Sequence, residues 1–297
     1  MLEFKQGAFP PDVKNAIFIY LLMINSFVIY NISGYESIKI MKNLKIIVII
    51  SFLSPLISAS GNYCDVCDEK INSEYLQDAW GNKFHLEHQE NGVYCNTCSR
   101  IICKKITGGG FQFEDGRNIC KLCSHSMINN NEDKQKIESI NNVLLLLSEN
   151  GIIIDDQNIS INLVDRENLR KHTFSLSKHS KETIKAYTFF NNRNYEINIL
   201  WGLNQIEFEA VLAHEFLHVW VDHNNLKINN EKLEGFCNLG SSMVYKSYDL
   251  KLAKVLQKSI ENNEDPTYGK GYKYMNSLLE YHGWENLISM ILDNNQN

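Results

Sequence analysis

Residues 210–220 read Ala-Val-Leu-Ala-His-Glu-Phe-Leu-His-Val-Trp, a run that few folds can hold. Val211, Leu212, Phe216, Leu217 and Val219 surround His214, Glu215 and His218. A helix through them is apolar on every side and must be buried. Two imidazoles and a carboxylate in a dry interior are expensive unless something compensates them. A cation can do so. His214 and His218 are i and i+4, one turn apart on one helix face, so both can bind a single metal ion. Glu215 then lies beside the metal without ligating it, placed to take a proton from a water acidified there. With 9 His in 297 residues, His-Glu-x-x-His arises by chance on the order of 0.02 times per chain. The metal reading therefore outweighs the alternative of core histidines satisfied by hydrogen bonds.

A catalytic zinc takes three protein ligands and keeps a fourth position open. The best third ligand is Glu234, in Leu233-Glu234-Gly235-Phe236-Cys237, sixteen residues after His218. That interval leaves room for an Asn-rich loop, 224–232, and a return into an antiparallel helix. Gly235 lets the backbone approach the metal helix. Glu231 is the rival but falls in the polar loop, while Asp222 and His223 read as solvated residues at the helix end. Tyr268, Tyr272 and His282 are candidate donors to an oxyanion formed at the metal. Tyr272 is preferred because Gly269 and Gly271 can shape a close loop, against the plainer reading of aromatics that pack the last helices. The strand expected over 195–201 directly precedes the metal helix, and as an edge strand it would pair with an extended peptide.

Seven of the eight cysteines lie between positions 64 and 123, which indicates a local cysteine-built module. Cys64-x2-Cys67 is followed after seventeen residues by His85-x2-His88, and Cys95-x2-Cys98 after twenty-one by Cys120-x2-Cys123. Each half has the spacing of a tetrahedral structural zinc site. Disulfides are the alternative in an exported protein, but they leave His85 and His88 unexplained. Cys103 and Cys237 read as small apolar residues, and His125 is a substitute for Cys123. So small a module has little core and depends on its metals to fold.

Upstream are two apolar stretches, 16–32 and 44–59. The second follows Met41-Lys42-Asn43-Leu44-Lys45 and ends in Ser58-Ala59-Ser60-Gly61, the layout of a secretory signal peptide with Met41 as an alternative start. Uncleaved membrane segments are the other reading of residues 1–60. Either places the globular part outside the cytoplasm, exported or membrane-anchored. The formal net charge is −6 with no Lys/Arg block, which argues against nucleic-acid binding.

Residues 127–134, Met-Ile-Asn-Asn-Asn-Glu-Asp-Lys, read as the start of a linker, and 132–150 as a helix stopped by Gly151. Strands are expected over 159–164, 186–190 and 195–201, the last two joined by an Asn-rich hairpin loop, and a further hairpin turn at Asp115-Gly116. Helices are expected over 205–221, 234–248, 250–261, 272–281 and 284–292. The expected division is 1–60 signal or membrane segment, 61–126 cysteine module, 127–150 linker and helix, and 151–297 the metal-helix domain. The fold class is α+β, a small antiparallel sheet plus helices.

Two zinc knuckles with Trp80-Gly-Asn-Lys-Phe84-His85 between the first pairs resemble a LIM domain. LIM domains usually carry Cys where His88 stands, and the interval between His88 and Cys95 is longer than usual. A LIM-like module followed by His-Glu-Phe-Leu-His-Val-Trp and Leu-Glu-Gly-Phe-Cys resembles the peptidase family of the plant organ-size regulators, called DA-one, with its bacterial relatives. The resemblance runs from about Asn62 onward. It implies a gluzincin-type zinc peptidase domain, with His214, His218 and Glu234 as ligands and Glu215 as base. It also implies protein or peptide substrates, a LIM-like module that docks substrate or partner, and one catalytic and two structural Zn2+. Ubiquitin-dependent activation, a property of the plant members, is not expected of an exported chain. The alternatives are a protein-binding adaptor with a catalytically weak peptidase fold and a zinc hydrolase for a non-peptide amide.

Overall fold

A computed structural model describes residues 2–5, 63–132, 134–173 and 184–293. Apart from residues 2–5, the expected signal or membrane segments of 1–60 lie outside the described residues. Among the described residues no helix is long and apolar enough to cross a membrane.

In chain order the elements are β1 (Leu2–Lys5), β2 (Tyr75–Gln77), β3 (Lys83–His85), α1 (Glu87–Asn91), α2 (Lys104–Thr107), β4 (Gly110–Gln112), β5 (Asn118–Cys120), α3 (Lys121–Ser124) and β6 (Met127–Ile128). There follow α4 (Lys134–Glu149), β7 (Ile159–Val164), α5 (Arg166–Thr173), β8 (Ile184–Asn191), β9 (Asn194–Leu200) and β10 (Leu203–Asn204). The chain closes with α6 (Gln205–His223), α7 (Asn230–Ser247), α8 (Lys251–Glu261) and α9 (Tyr268–Asp293). The architecture is mixed α+β, and it divides into two compact units, residues 10–92 and residues 1–9 with 93–297.

In the smaller unit β2 and β3 form a hairpin with Tyr75 opposite His85. Asp78 holds its turn, because its Oδ1 accepts from the backbone N–H groups of Trp80 and Asn82, both at 2.9 Å.

In the larger unit a four-stranded sheet has the order β1-β8-β9-β7. β9 runs antiparallel to β8 and parallel to β7, with Ile159 opposite Tyr195 and Val164 opposite Leu200. The sheet is therefore mixed, where a small antiparallel one was expected. The reason is β8, which follows β7 in the chain but lies on the far side of β9 and runs back, so that β9 points the same way as β7. β9 is also an inner strand, not the expected substrate-pairing edge: both its sides are hydrogen-bonded, and its nearly continuous buried run suits that place. The β8–β9 turn is tight because Asn192 and Arg193 both take left-handed backbone, φ 47° and 65°.

α6 packs on β8 and β9 with α4 and α7 as neighbours, and α7 in turn packs on α9. Asn204 caps α6 by accepting from the Ile206 N–H at 3.2 Å. Two glycines set how closely these helices approach. A Cβ on Gly240 would lie 2.9 Å from the Ala213 carbonyl of α6, and one on Gly235 would lie 2.2 Å from the Gly271 carbonyl of α9. The two expected terminal helices form one stretch, α9, with its break at Gly283, φ 75°.

The second cysteine pair of pairs belongs to this larger unit. Residues 127 and 128, expected as linker, form β6 and pair with β10 immediately before α6. Thr97 donates to the buried Glu207 of the first turn of α6 at 2.9 Å, and Lys185 of β8 bonds the other oxygen of the same carboxylate. Arg117 donates to the Trp201 carbonyl at 3.0 Å, and Asn204 to the Cys123 carbonyl at 3.2 Å.

Candidate metal centres

α6 and α7 bring three donor atoms to one point. His214 Nε2 and His218 Nε2 are 3.0 Å apart, and Glu234 Oε2 lies 3.3 Å from the first and 3.7 Å from the second. Nitrogen ligands on one tetrahedral zinc lie roughly 3.3 Å apart, so the three atoms already have the spacing of an ion's coordination shell. The residues are 0–1% exposed. Their burial follows from the all-round apolar α6 and from the Gly235–Gly271 crossing, which seats the Glu234 end of α7 against α9.

The second ring nitrogen of each histidine is also held. His214 Nδ1 is 3.1 Å from Asn238 Oδ1, while Asn238 Nδ2 donates to the Tyr268 carbonyl at 3.3 Å. Because the amide nitrogen of Asn238 is committed to a carbonyl, its oxygen faces His214 and must accept. His214 is therefore protonated on Nδ1 and presents a lone pair on Nε2. Cys237 Sγ lies 3.3 Å from His218 Nδ1. A basic Nε2 on His214 beside the Glu234 carboxylate is a donor set that suits a cation.

Glu215 is buried on the same turn. Thr188 of β8 donates to its Oε2 at 2.6 Å, while Oε1 has no hydrogen-bond partner. Burial pushes the Glu215 carboxyl up to about 7, against the opposing His218 charge and the Thr188 bond. Burial pushes the Glu234 carboxyl up too, but the His218 charge and the closeness of both imidazoles outweigh it and hold the group at about 2. Burial draws His214 down to about 4. Two carboxyls in one dry pocket, one strongly acidic and one near neutral, are poised for different work.

Two further groups could each hold a metal: Cys64, Cys67, His85 and His88 in the smaller unit, and Cys95, Cys98, Cys120 and Cys123 in the larger. None of the eight cysteines is in a disulfide. Cys98 and Cys120 have their sulfurs 3.7 Å apart, close to the roughly 3.8 Å of two thiolates on one zinc and far beyond a disulfide. The backbone N–H groups of Cys120 and Cys123 donate to Cys95 and Cys120 sulfurs, both at 3.4 Å. Hydrogen bonding to Cys123 pulls the Cys120 thiol down, while bonds to Cys120 push Cys98 and Cys123 up. Four such thiols need a cation before all can ionise.

The remaining expected residues lie elsewhere. Tyr272 does not face the paired histidines: its buried hydroxyl is 3.1 Å from Ser242 Oγ and accepts from Gln257 at 2.9 Å, two turns along α7 from Glu234. Glu231, Asp222 and His223 are exposed, and Asp222 accepts from Tyr195 at 3.1 Å. The Tyr268 carbonyl accepts from Asn238, the partner of His214, at 3.3 Å. Cys103 caps α2, its sulfur accepting from Ile106 N–H at 3.3 Å. Sequence spacing did not single out Thr188, which is distant in the chain. Cys237 and Asn238 were within reach of it, since they lie three and four residues after Glu234 and so on its helix face.

Fold and site together define a mixed α+β protein with two Cys/His clusters and a buried, helix-borne His-His centre flanked by two glutamates. Comparison with curated proteins finds distant similarity over most of the chain to plant proteins of the LIM/peptidase kind. Protein DA1-related 6 of Arabidopsis thaliana is 22% identical over 308 residues, covering 77% of this chain and 46% of its own length. Protein DA1-related 2 of the same plant is 24% identical over 222 residues, covering 61% of this chain and 41% of its own. The chain thus spans less than half the length of these relatives. No family model matches the sequence, and no solved structure matches it.

Proposed function

We propose that this chain is a zinc-dependent metallopeptidase that hydrolyses peptide bonds in protein substrates. The observation that carries the reading is the convergence of His214 Nε2, His218 Nε2 and Glu234 Oε2, with Glu215 beside them. This set of two nitrogens and one oxygen is typical of catalytic zinc, and it leaves a position open. Zinc held there would act as a Lewis acid toward water and the scissile carbonyl.

The chain's own groups do the rest. Thr188 fixes Glu215 through Oε2, so the unbonded Oε1 is the oxygen that takes a proton from the attacking water. Burial supplies basicity by raising the carboxyl above its ordinary range, which lets Glu215 hold the proton and pass it to the leaving amine. Asn238 keeps His214 in the ligand tautomer.

Within this reading residues 151–297 form a gluzincin-like peptidase domain and 61–126 a LIM-like module whose two zinc sites are closed and structural. The module docks substrate or partner, and the globular part works outside the cytoplasm, exported or anchored by the amino-terminal apolar segments. Similarity to DA1-related proteins supports the pairing of module and peptidase.

Metal analysis of residues 61–297, together with proteolysis of an unfolded protein substrate, tests this. Three zinc per chain and cleavage abolished in Glu215→Gln are expected. Two zinc, both lost with the cysteine module, or cleavage that survives Glu215→Gln, would overturn it.

A further inference from the structure

We propose that Cys237 is a positioning residue of the metal centre: its sulfur holds His218 by Nδ1, so that His218 turns Nε2 to the cation. The proposal rests on the reading of His214, His218 and Glu234 as ligands. Its basis is the arrangement on α7. Glu234, Cys237 and Asn238 are i, i+3 and i+4, and so share one helix face. Glu234 Oε2 meets the Nε2 atoms of both histidines, Asn238 meets Nδ1 of His214, and Cys237 meets Nδ1 of His218 at 3.3 Å. One turn of one helix thus grips both imidazoles at both nitrogens. Cys237 is wholly buried, as is His218 at 1% exposure, so no water can take the sulfur's place.

A competing role is ligation. His214, His218 and Cys237 offer donor atoms within 4.8 Å of one another and by distance alone could form a cysteine-containing site. The contacts point the other way. A zinc-bound sulfur must come to about 2.3 Å of the metal, and Cys237 Sγ sits on the ring nitrogen that does not face His214 and Glu234. With Nε2 committed to a metal, Nδ1 carries the proton and the sulfur accepts it. Such partners of a ligand histidine hold the ring in register and tune its basicity, and their loss typically weakens metal binding about 10–100-fold.

The test uses the full chain with zinc kept in the cysteine sites and the labile metal exchanged for cobalt(II) with a weak chelator. Cys237→Ala is expected to bind cobalt and zinc at this site about 10–100-fold more weakly. Cys237→Ser, which keeps a hydrogen-bonding atom and covers the event that the alanine variant fails to fold, is expected to recover most of that loss. With only nitrogen and oxygen ligands on cobalt, the parent and both variants alike should show no sulfur-to-cobalt charge transfer. Binding by Cys237→Ala within about twofold of the parent would overturn the proposal, as would a fall in thermal midpoint with affinity unchanged. Loss of a sulfur-to-cobalt band in the variants would make Cys237 a ligand and overturn it equally. If the parent itself takes up no metal at the histidines, it is the underlying reading of the centre that fails.

Discussion

The larger unit holds two candidate metal sites of opposite design. Cys95, Cys98, Cys120 and Cys123 supply four sulfurs, enough to close a tetrahedron. His214, His218 and Glu234 supply three nitrogen and oxygen atoms and leave the shell one short, with the unbonded Oε1 of Glu215 beside it. The cysteine cluster stands on short strands and single turns, which cannot hold a fold alone. The histidine centre stands on the buried middles of helices of 19 and 18 residues. As proposed, the first would need a metal in order to fold. The second would be held by its surroundings and so free to use its donors for chemistry. The two are joined, because Thr97 and the Cys123 carbonyl bond residues at the amino end of α6.

The largest effect should come from breaking the closed site. Cys120→Ser removes a sulfur from the cluster, and in small modules zinc binding is itself folding energy, about 10–16 kcal/mol. A loss on the order of 5 kcal/mol or more is expected, seen as one zinc fewer and a much lower thermal midpoint for the whole unit. If the midpoint holds, the cluster is an appendage and the contrast drawn above is wrong.

Glu215→Gln attacks the open site and should do the reverse. The amide keeps the shape and the Thr188 contact but cannot take a proton. Turnover should fall by about 10²–10⁴-fold, with zinc content and thermal midpoint unchanged. The pH profile gives the same group a second reading. As the proposed base Glu215 would work only as the carboxylate, and burial raises its pKa to about 7; a nearby cation would lower that value. The kcat/KM should therefore fall toward acid with a midpoint at or below 7, about tenfold per unit beyond it. An acid limb above that point, or one that persists in the residual activity of Glu215→Gln, would assign it to another group.

Gly235→Ala tests how helix packing places the third donor. The new Cβ would meet the Gly271 carbonyl at 2.2 Å, so α7 and α9 must part beside Glu234. A stability loss of about 2–3 kcal/mol is expected, with weaker zinc binding at the histidines and none lost at the cysteines. Equal loss at both would show that the two sites are not separable.

Much of this was legible in the sequence, for reasons that differ by residue. That His214, Glu215, His218 and Glu234 come together was readable, because one helix sets the first three by spacing and its return offered Glu234 ahead of Glu231. The cysteine pairs were readable because a knuckle is local. The sheet was less so: the strands 159–164 and 195–201 fell close to where expected, but nothing in them told that they run parallel, since that depends on β8 taking the far side of β9. Tyr272 was chosen for its glycine neighbours, of which Gly271 instead serves helix contact at Gly235 and Gly269 lies against the Asn263 carbonyl. Thr188 carries no pattern; it reaches Glu215 only because β8 lies against α6. The docking of the second cysteine cluster was hidden for the same reason, since Thr97 and Glu207 are 110 residues apart.

That docking gives the smallest of the expected effects and the finest test. Thr97 is 6% exposed and donates to Glu207 Oε2, leaving Oε1 to Lys185. Thr97→Val keeps the volume and removes the donor, so a carboxylate 1% exposed loses one of its two bonds. A hydrogen bond to a charged group contributes about 1.5 kcal/mol or somewhat more, and a fall in stability of that size is expected in denaturant titration. Both zinc sites of the unit should stay full, because no ligand has been touched. Turnover should also hold, since the bond lies at the first turn of α6, two turns before His214. A loss of turnover without loss of zinc would mean that the cysteine cluster sets the position of the histidine centre as well as its stability.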